Sequence, residues 1–98
     1  MDVIKFRFIG WMKENIHDKV WVSFAVGRQY YCAWGKRGAK LQFKRHGVHL
    51  YDLMKVEDQK KKKGYKEVDA FLLFSIFPDF HEKVEKELMM KILSGQVR

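Results

Sequence analysis

Between Trp34 and Arg45 the chain reads "WGKRGAKLQFKR", a flat aromatic ring followed by the cations Lys36, Arg37, Lys40, Lys44 and Arg45. These residue types do non-covalent chemistry on polyanions. A ring stacked on a base or sugar contributes about 1–3 kcal/mol. Each lysine or arginine on a phosphate adds affinity that falls with salt. A second run, Lys60–Lys63, supplies Lys61 and Lys62 as further candidates. Each feature also has a plainer reading. Trp34, with Gly35 and Gly38 close by, fits a packing anchor of the core. Lys60–Lys63 fit a helix end, where cations favour the macrodipole, and Gly64 stands where a C′ residue would. The sequence leaves both alternatives open.

Other chemistries find little support. His17, His46, His49 and His81 are scattered. His46 and His49 are three apart, but no carboxylate or cysteine completes a ligand set around them, so neither a metal nor a cofactor is expected. No Ser/His/Asp order and no phosphate-cradling glycine loop stands out. Cys32, the single cysteine, reads as a core residue of a strand, and Glu82, Glu85 and Glu87 as a solvated helix face. The expectation is a protein that is not an enzyme. One cysteine excludes an intrachain disulfide and fits a reducing compartment, a bacterial or phage-host cytoplasm ahead of a nucleus. No secretory signal is visible, and the longest apolar stretch, Ala70–Phe77, is too short to span a bilayer, so no membrane partner is expected.

The charge is concentrated. Arg28–Lys66 holds twelve Lys/Arg against three acids, a net of +9, while the remainder holds eight against nine. The formal +8 of the 98-residue chain therefore lies in its middle. Such a field draws nucleic acid, or less often an anionic membrane or an acidic protein.

The elements that must position these residues follow from periodicity. Val3–Ile9 alternates, with Ile4, Phe6 and Phe8 expected on one face and Lys5 and Arg7 on the other. Gly10–Asp18 reads as a turn region. Lys19–Val26 alternates, with Val20, Val22, Phe24 and Val26 sharing a face; Gly27-Arg28 makes a hairpin tip, and Gln29–Trp34 returns. A loop bracketed by Gly35 and Gly38 leads to a strand over Lys40–Arg45, with Leu41 and Phe43 inward. From about Val48 the period becomes helical through Leu50, Leu53, Met54 and Glu57. Ala70–Phe77 reads as a buried strand or connector. Pro78-Asp79 then opens a helix over Asp79–Ser94 with the stripe Phe80, Val84, Leu88 and Ile92, ended by Gly95. The sum is one α+β domain over residues 1–98, a small antiparallel sheet of four or five strands covered by two helices.

The stretch "KVWVSFAVGRQYYCAWGKRGAK" resembles the first hairpin of a WGR domain, the module named for its Trp-Gly-Arg motif. "WGKRG" at Trp34–Gly38 and "KKKKGYKEV" at Lys60–Val68 match the two ends of that family's pattern in order and spacing, over Lys19–Val68. The family's Arg is Lys36 here, its small apolar residue is Arg37, and a Gly is Leu41. Lys36 meets a phosphate as a point charge and lacks the bidentate fork. Residues 1–18 and 79–94 read as an added strand and an added helix. WGR domains occur in poly(ADP-ribose) polymerases and in small stand-alone bacterial proteins. The resemblance implies binding near DNA ends, with the motif Trp against a terminal nucleotide and basic residues on the backbone, and no ADP-ribosyl transfer. The expected partner is nucleic acid, DNA ahead of RNA, met through Trp34, Lys36, Arg37, Lys40, Lys44, Arg45, Lys61 and Lys62 with little sequence readout. Two rival classes are a small regulator or inhibitor that binds a protein such as a nucleic-acid enzyme, with Trp11 and Trp21 in its interface, and a structural subunit that oligomerises.

Overall fold

A computed structural model describes residues 4–14, 17–37 and 39–93, and the side chains of all of these except His17, Leu88 and residues 91–93. The expected Gly38 loop position, the Leu88 and Ile92 members of the helical stripe, and the Gly95 stop lie outside what is described.

Strands β1 (Ile4–Glu14), β2 (His17–Val26), β3 (Gln29–Lys36) and β4 (Gln42–Gly47) form an antiparallel meander. Helix α1 (Leu50–Lys63) then crosses one face and delivers the short β5 (Lys66–Glu67) to the far side of β1. The sheet order is β4-β3-β2-β1-β5. Helices α2 (Ala70–Ile76) and α3 (Phe80–Leu93) follow. The domain is α+β, with one helix on one face of the sheet and two on the other.

Strand pleating explains this layering, because successive side chains point to opposite faces. On β2, Val20, Val22 and Phe24 are fully buried and join Leu73 of α2, Phe77 at its end, and Phe80 and Val84 of α3. Trp21 on the alternate parity joins Leu53 and Tyr65 beneath α1. Both faces of β2 and β3 are covered, so neither strand shows a polar side. That is the source of the mixed apolar pattern in Gln29–Trp34. The hairpin tip falls at Gly27, whose φ of 62° suits glycine.

Two readings of the sequence are corrected. The first concerns β1, which continues through Gly10–Glu14 where a turn region was expected. Phe6 pairs Phe24 but Phe8 pairs Ser23, so a bulge at Arg7 inserts one residue and reverses the parity. Ile4 and Phe6 therefore pack toward α2 and α3, whereas Phe8 packs toward α1. Gly10 sits where a Cβ would lie 2.7 Å from the Phe8 ring and 2.9 Å from the Tyr65 Cβ, so the absence of a side chain admits Tyr65.

The second concerns Ala70–Phe77, which is a helix rather than a strand or connector, and makes the helices three. Asp69 caps it, its carboxylate accepting from the Leu72 N–H at 2.9 Å. Ala70, Leu73, Phe74 and Phe77 keep helical spacing toward the core, which leaves Phe71 84% exposed. Gly64 closes α1 with φ 120° and its N–H toward the Lys60 and Lys61 carbonyls. Among the described residues no helix is long and apolar enough to cross a membrane.

Candidate nucleic-acid interface

The meander brings β2, β3 and β4 side by side, so residues of one parity line up under α1. Trp21, Trp34, Lys44 and His46 come from the strands, Val56 and Lys60 from α1, and Tyr65 from its exit. With Cys32 they line an open cleft of about 300 Å³. Trp21 and Trp34 are paired neighbours on β2 and β3, and Cys32 faces Lys44 across the next ladder. Trp21 is buried, whereas Trp34 is half-buried and packs against the same cluster with one side on the cleft.

Cations rim this aromatic floor. The Lys60 ammonium lies 5.9 Å from the Trp21 ring, within cation–π range. Its pKa is lowered, first by burial and then by Lys63 and Lys19, with Cys32 opposing. His46 is likewise held below its ordinary 6.5, first by burial and then by Lys44, with Asp52 and Glu57 opposing. Its Nε2 lies 3.4 Å from the Cys32 Sγ. Burial raises the Tyr65 phenol. In both basic groups burial is the first cause that disfavours the positive charge, and a neighbouring lysine is the second. No trio of His, Cys, Asp or Glu among the described residues is placed to hold a metal ion.

The pH consequence has a definite sign. Because His46 is held low in the fold, the unfolded chain takes up a proton near pH 6.5 that the folded state refuses. Its contribution to stability is complete above 6.5 and declines as the pH drops through the window just below. Between about pH 7.5 and about pH 5.5, the wild type should therefore lose more melting temperature than His46→Gln. Equal losses would show that His46 is not held neutral by the fold.

The pleat divides the sequence-defined set. Trp34 and Lys44 meet in the cleft, and Lys36 follows on the same parity, exposed at the end of β3 opposite Lys19. Lys61 is exposed on α1 with its ammonium 5.2 Å from the Phe8 ring, and Lys62 is exposed beside it. Arg37 turns to the other side of the sheet. Its Nε lies 3.1 Å from Asp18 Oδ2 and its guanidinium 5.9 Å from the Trp11 ring. The Trp11 indole N–H donates to the same carboxylate at 2.8 Å. Arg45 leaves β4 opposite to Lys44, with Nη1 3.5 Å from Gln29 Oε1. Lys40 lines a separate groove with Leu41, Phe43 and residues of α3.

Lys60, His46, Trp21 and Tyr65 are cleft residues that the candidate set lacked. Helical spacing carried a signal for Lys60, which follows Leu53, Val56 and Glu57 on the inward face of α1. No family model matches the chain, and neither a curated protein nor a solved structure matches it significantly.

Proposed function

We propose that the domain is a non-enzymatic nucleic-acid-binding module of the WGR type, acting on backbone or strand ends with little sequence readout. The observation that carries the reading is the cleft itself. Half-buried Trp34 shares the cleft with Lys44 and Lys60, and all three lie in the segment that holds all of the excess positive charge. A base or sugar fits against the Trp34 ring while a phosphate meets the two ammonium groups. Lys36 and Lys61 extend the positive surface on the same side of the sheet. Helix α1 is committed to the sheet through Leu53 and Glu57. DNA is the favoured polymer, and a cytoplasmic setting accompanies the proposal.

Fluorescence titration with short DNA and RNA across a salt series tests it. Binding with a steep salt slope is the expected result, and absence of binding at low salt would overturn it. Lys44→Ala with Lys60→Ala should flatten the slope by about 0.7–0.9 for each lost phosphate contact. Trp34→Ala should weaken binding by about 1–3 kcal/mol with little change in slope. A melting curve on the same variant separates lost stacking from lost packing, because a truncated core Trp costs about 3–5 kcal/mol of stability. A folded Trp34→Ala protein with wild-type affinity would remove the ring from the site.

A further inference from the structure

The groove that holds Lys40 lies on the face away from the cleft. It has about 320 Å³ and is lined by Lys40, Leu41 and Phe43 beside β4, and by Lys83, Lys86, Glu87 and Met90 of α3. Its floor is apolar: Leu41 is buried and Phe43 half-buried. Met90 is 61% exposed and the adjacent Met89 57%, although thioethers on a 14-residue helix could have been turned inward. Three lysines stand against one glutamate around this floor. Lys83 is engaged by Asp79 at 3.6 Å, whereas Lys40 and Lys86 form no ion pair among the described residues. The groove also runs beside β4, the outer strand of the sheet, which pairs β3 on one side and no described strand on the other.

We propose that this groove takes an acidic, extended segment of a protein partner. The segment seats a large apolar side chain on Leu41, Phe43 and Met90, sets carboxylates against Lys40 and Lys86, and lays its main chain along the free edge of β4. Charge decides among the occupants. A second copy brings another +8 and sets Lys44 and Arg45 of one edge against those of the other. Nucleic acid meets Glu87 on the rim, and the one ring on the floor, half-buried Phe43, lies among the aliphatic side chains of Leu41 and Met90 rather than in an aromatic cluster. An acidic segment with one apolar anchor satisfies both the lysines and the floor, and flexible methionines suit such a contact. Because the cleft under α1 lies across the sheet, the protein would hold a nucleic acid and a protein on opposite faces.

The test titrates the full chain with a labelled peptide alternating Glu with Leu and Phe. Its controls are the same peptide with Leu and Phe replaced by Ser, and an unlabelled DNA duplex as competitor. The expected result is saturable binding that Lys86→Glu and Met90→Asp each weaken about tenfold, whereas Lys62→Glu, the same charge change across the sheet, changes it less than about twofold. Lys86 and Met90 are both exposed, and melting curves check that the variants fold. Equal weakening by Lys62→Glu, equal binding of the Ser peptide, or complete displacement by the duplex would overturn the proposal. So would a concentration-dependent sedimentation coefficient abolished by Met90→Asp, which would put a second copy in the groove.

Discussion

Glu57→Ala should destabilise the fold by about 3–5 kcal/mol, the loss that follows when one partner is stripped from a buried ion pair. Glu57 projects from α1 onto the sheet and is 6% exposed. Arg7 grips its carboxylate with two N–H groups at 3.0 and 3.1 Å, and the Ser23 hydroxyl donates to it at 2.6 Å. The Phe8 N–H donates in turn to the Ser23 oxygen at 3.1 Å. The network gathers the β1 bulge, the centre of β2 and the middle of α1. Arg7 gains protonation strength from the Glu57 hydrogen bond. Removing the carboxylate leaves the Ser23 hydroxyl, at 0% exposure, without its acceptor. Arg7 keeps access to water at 30% exposure, which draws the effect toward the lower end of the range. Glu57→Gln preserves the shape and an acceptor for Ser23, so it should cost about 1–3 kcal/mol. Urea denaturation of the two variants checks the order. A Glu57→Ala protein within about 0.5 kcal/mol of wild type, the range of an ordinary surface change, would show that the network does not hold α1.

The same network shows where the sequence was readable and where it was not. The alternation of Val20, Val22 and Phe24 places β2 correctly, because a period of two needs no knowledge of partners. The bulge at Arg7 cannot be read that way. Lys5 and Arg7 alternate with Phe6 and Phe8 as in a regular strand, and the extra residue is visible only in the register with β2. It is stabilised by Glu57, fifty positions away. Ala70–Phe77 failed for a different reason. A stretch of eight residues, seven of them apolar, is too short to separate a strand from a helix by hydrophobicity, and Asp69, acting as a cap, held the deciding information.

The candidate site was legible in composition but not in arrangement. Lys36 and Arg37, and again Lys44 and Arg45, are adjacent in the chain. Neighbours in a strand face opposite ways, which divides Lys44 from Arg45, and Arg37, one residue past the end of β3, turns to Asp18 and Trp11 on the other side. Lys60 joins Trp34 because α1 folds back over the meander, a tertiary fact that local spacing hints at only through the inward face of the helix.

Phe80→Ala should destabilise by about 3–5 kcal/mol and show that α3 belongs to the core. The Phe80 ring is fully buried at the start of α3. It meets Phe24 edge-on at 6.1 Å and Phe6 at 5.8 Å, so one side chain joins the last helix to β1 and β2. Leu73, Phe77 and Val84 belong to the same buried cluster, so the ring is packed among residues of β1, β2, α2 and α3 itself. The vacated space can therefore collapse only in part, which places the loss well above the transfer of the ring alone. A domain of this size has about 5–15 kcal/mol in total, and each kcal/mol moves the melting temperature by about 4–8 °C. Phe80→Ala should melt far below wild type. Phe80→Leu refills part of the space and should lose about 1–2 kcal/mol while remaining folded at room temperature. That second variant links stability to function. Phe80 lies on the α2 and α3 face, across the sheet from Trp34, Lys44 and Lys60, so folded Phe80→Leu should keep wild-type affinity for nucleic acid. An unchanged melting temperature in Phe80→Ala would detach α3 from the core. A folded Phe80→Leu protein that had lost nucleic-acid binding would move the interface from the α1 side of the sheet to the α3 side.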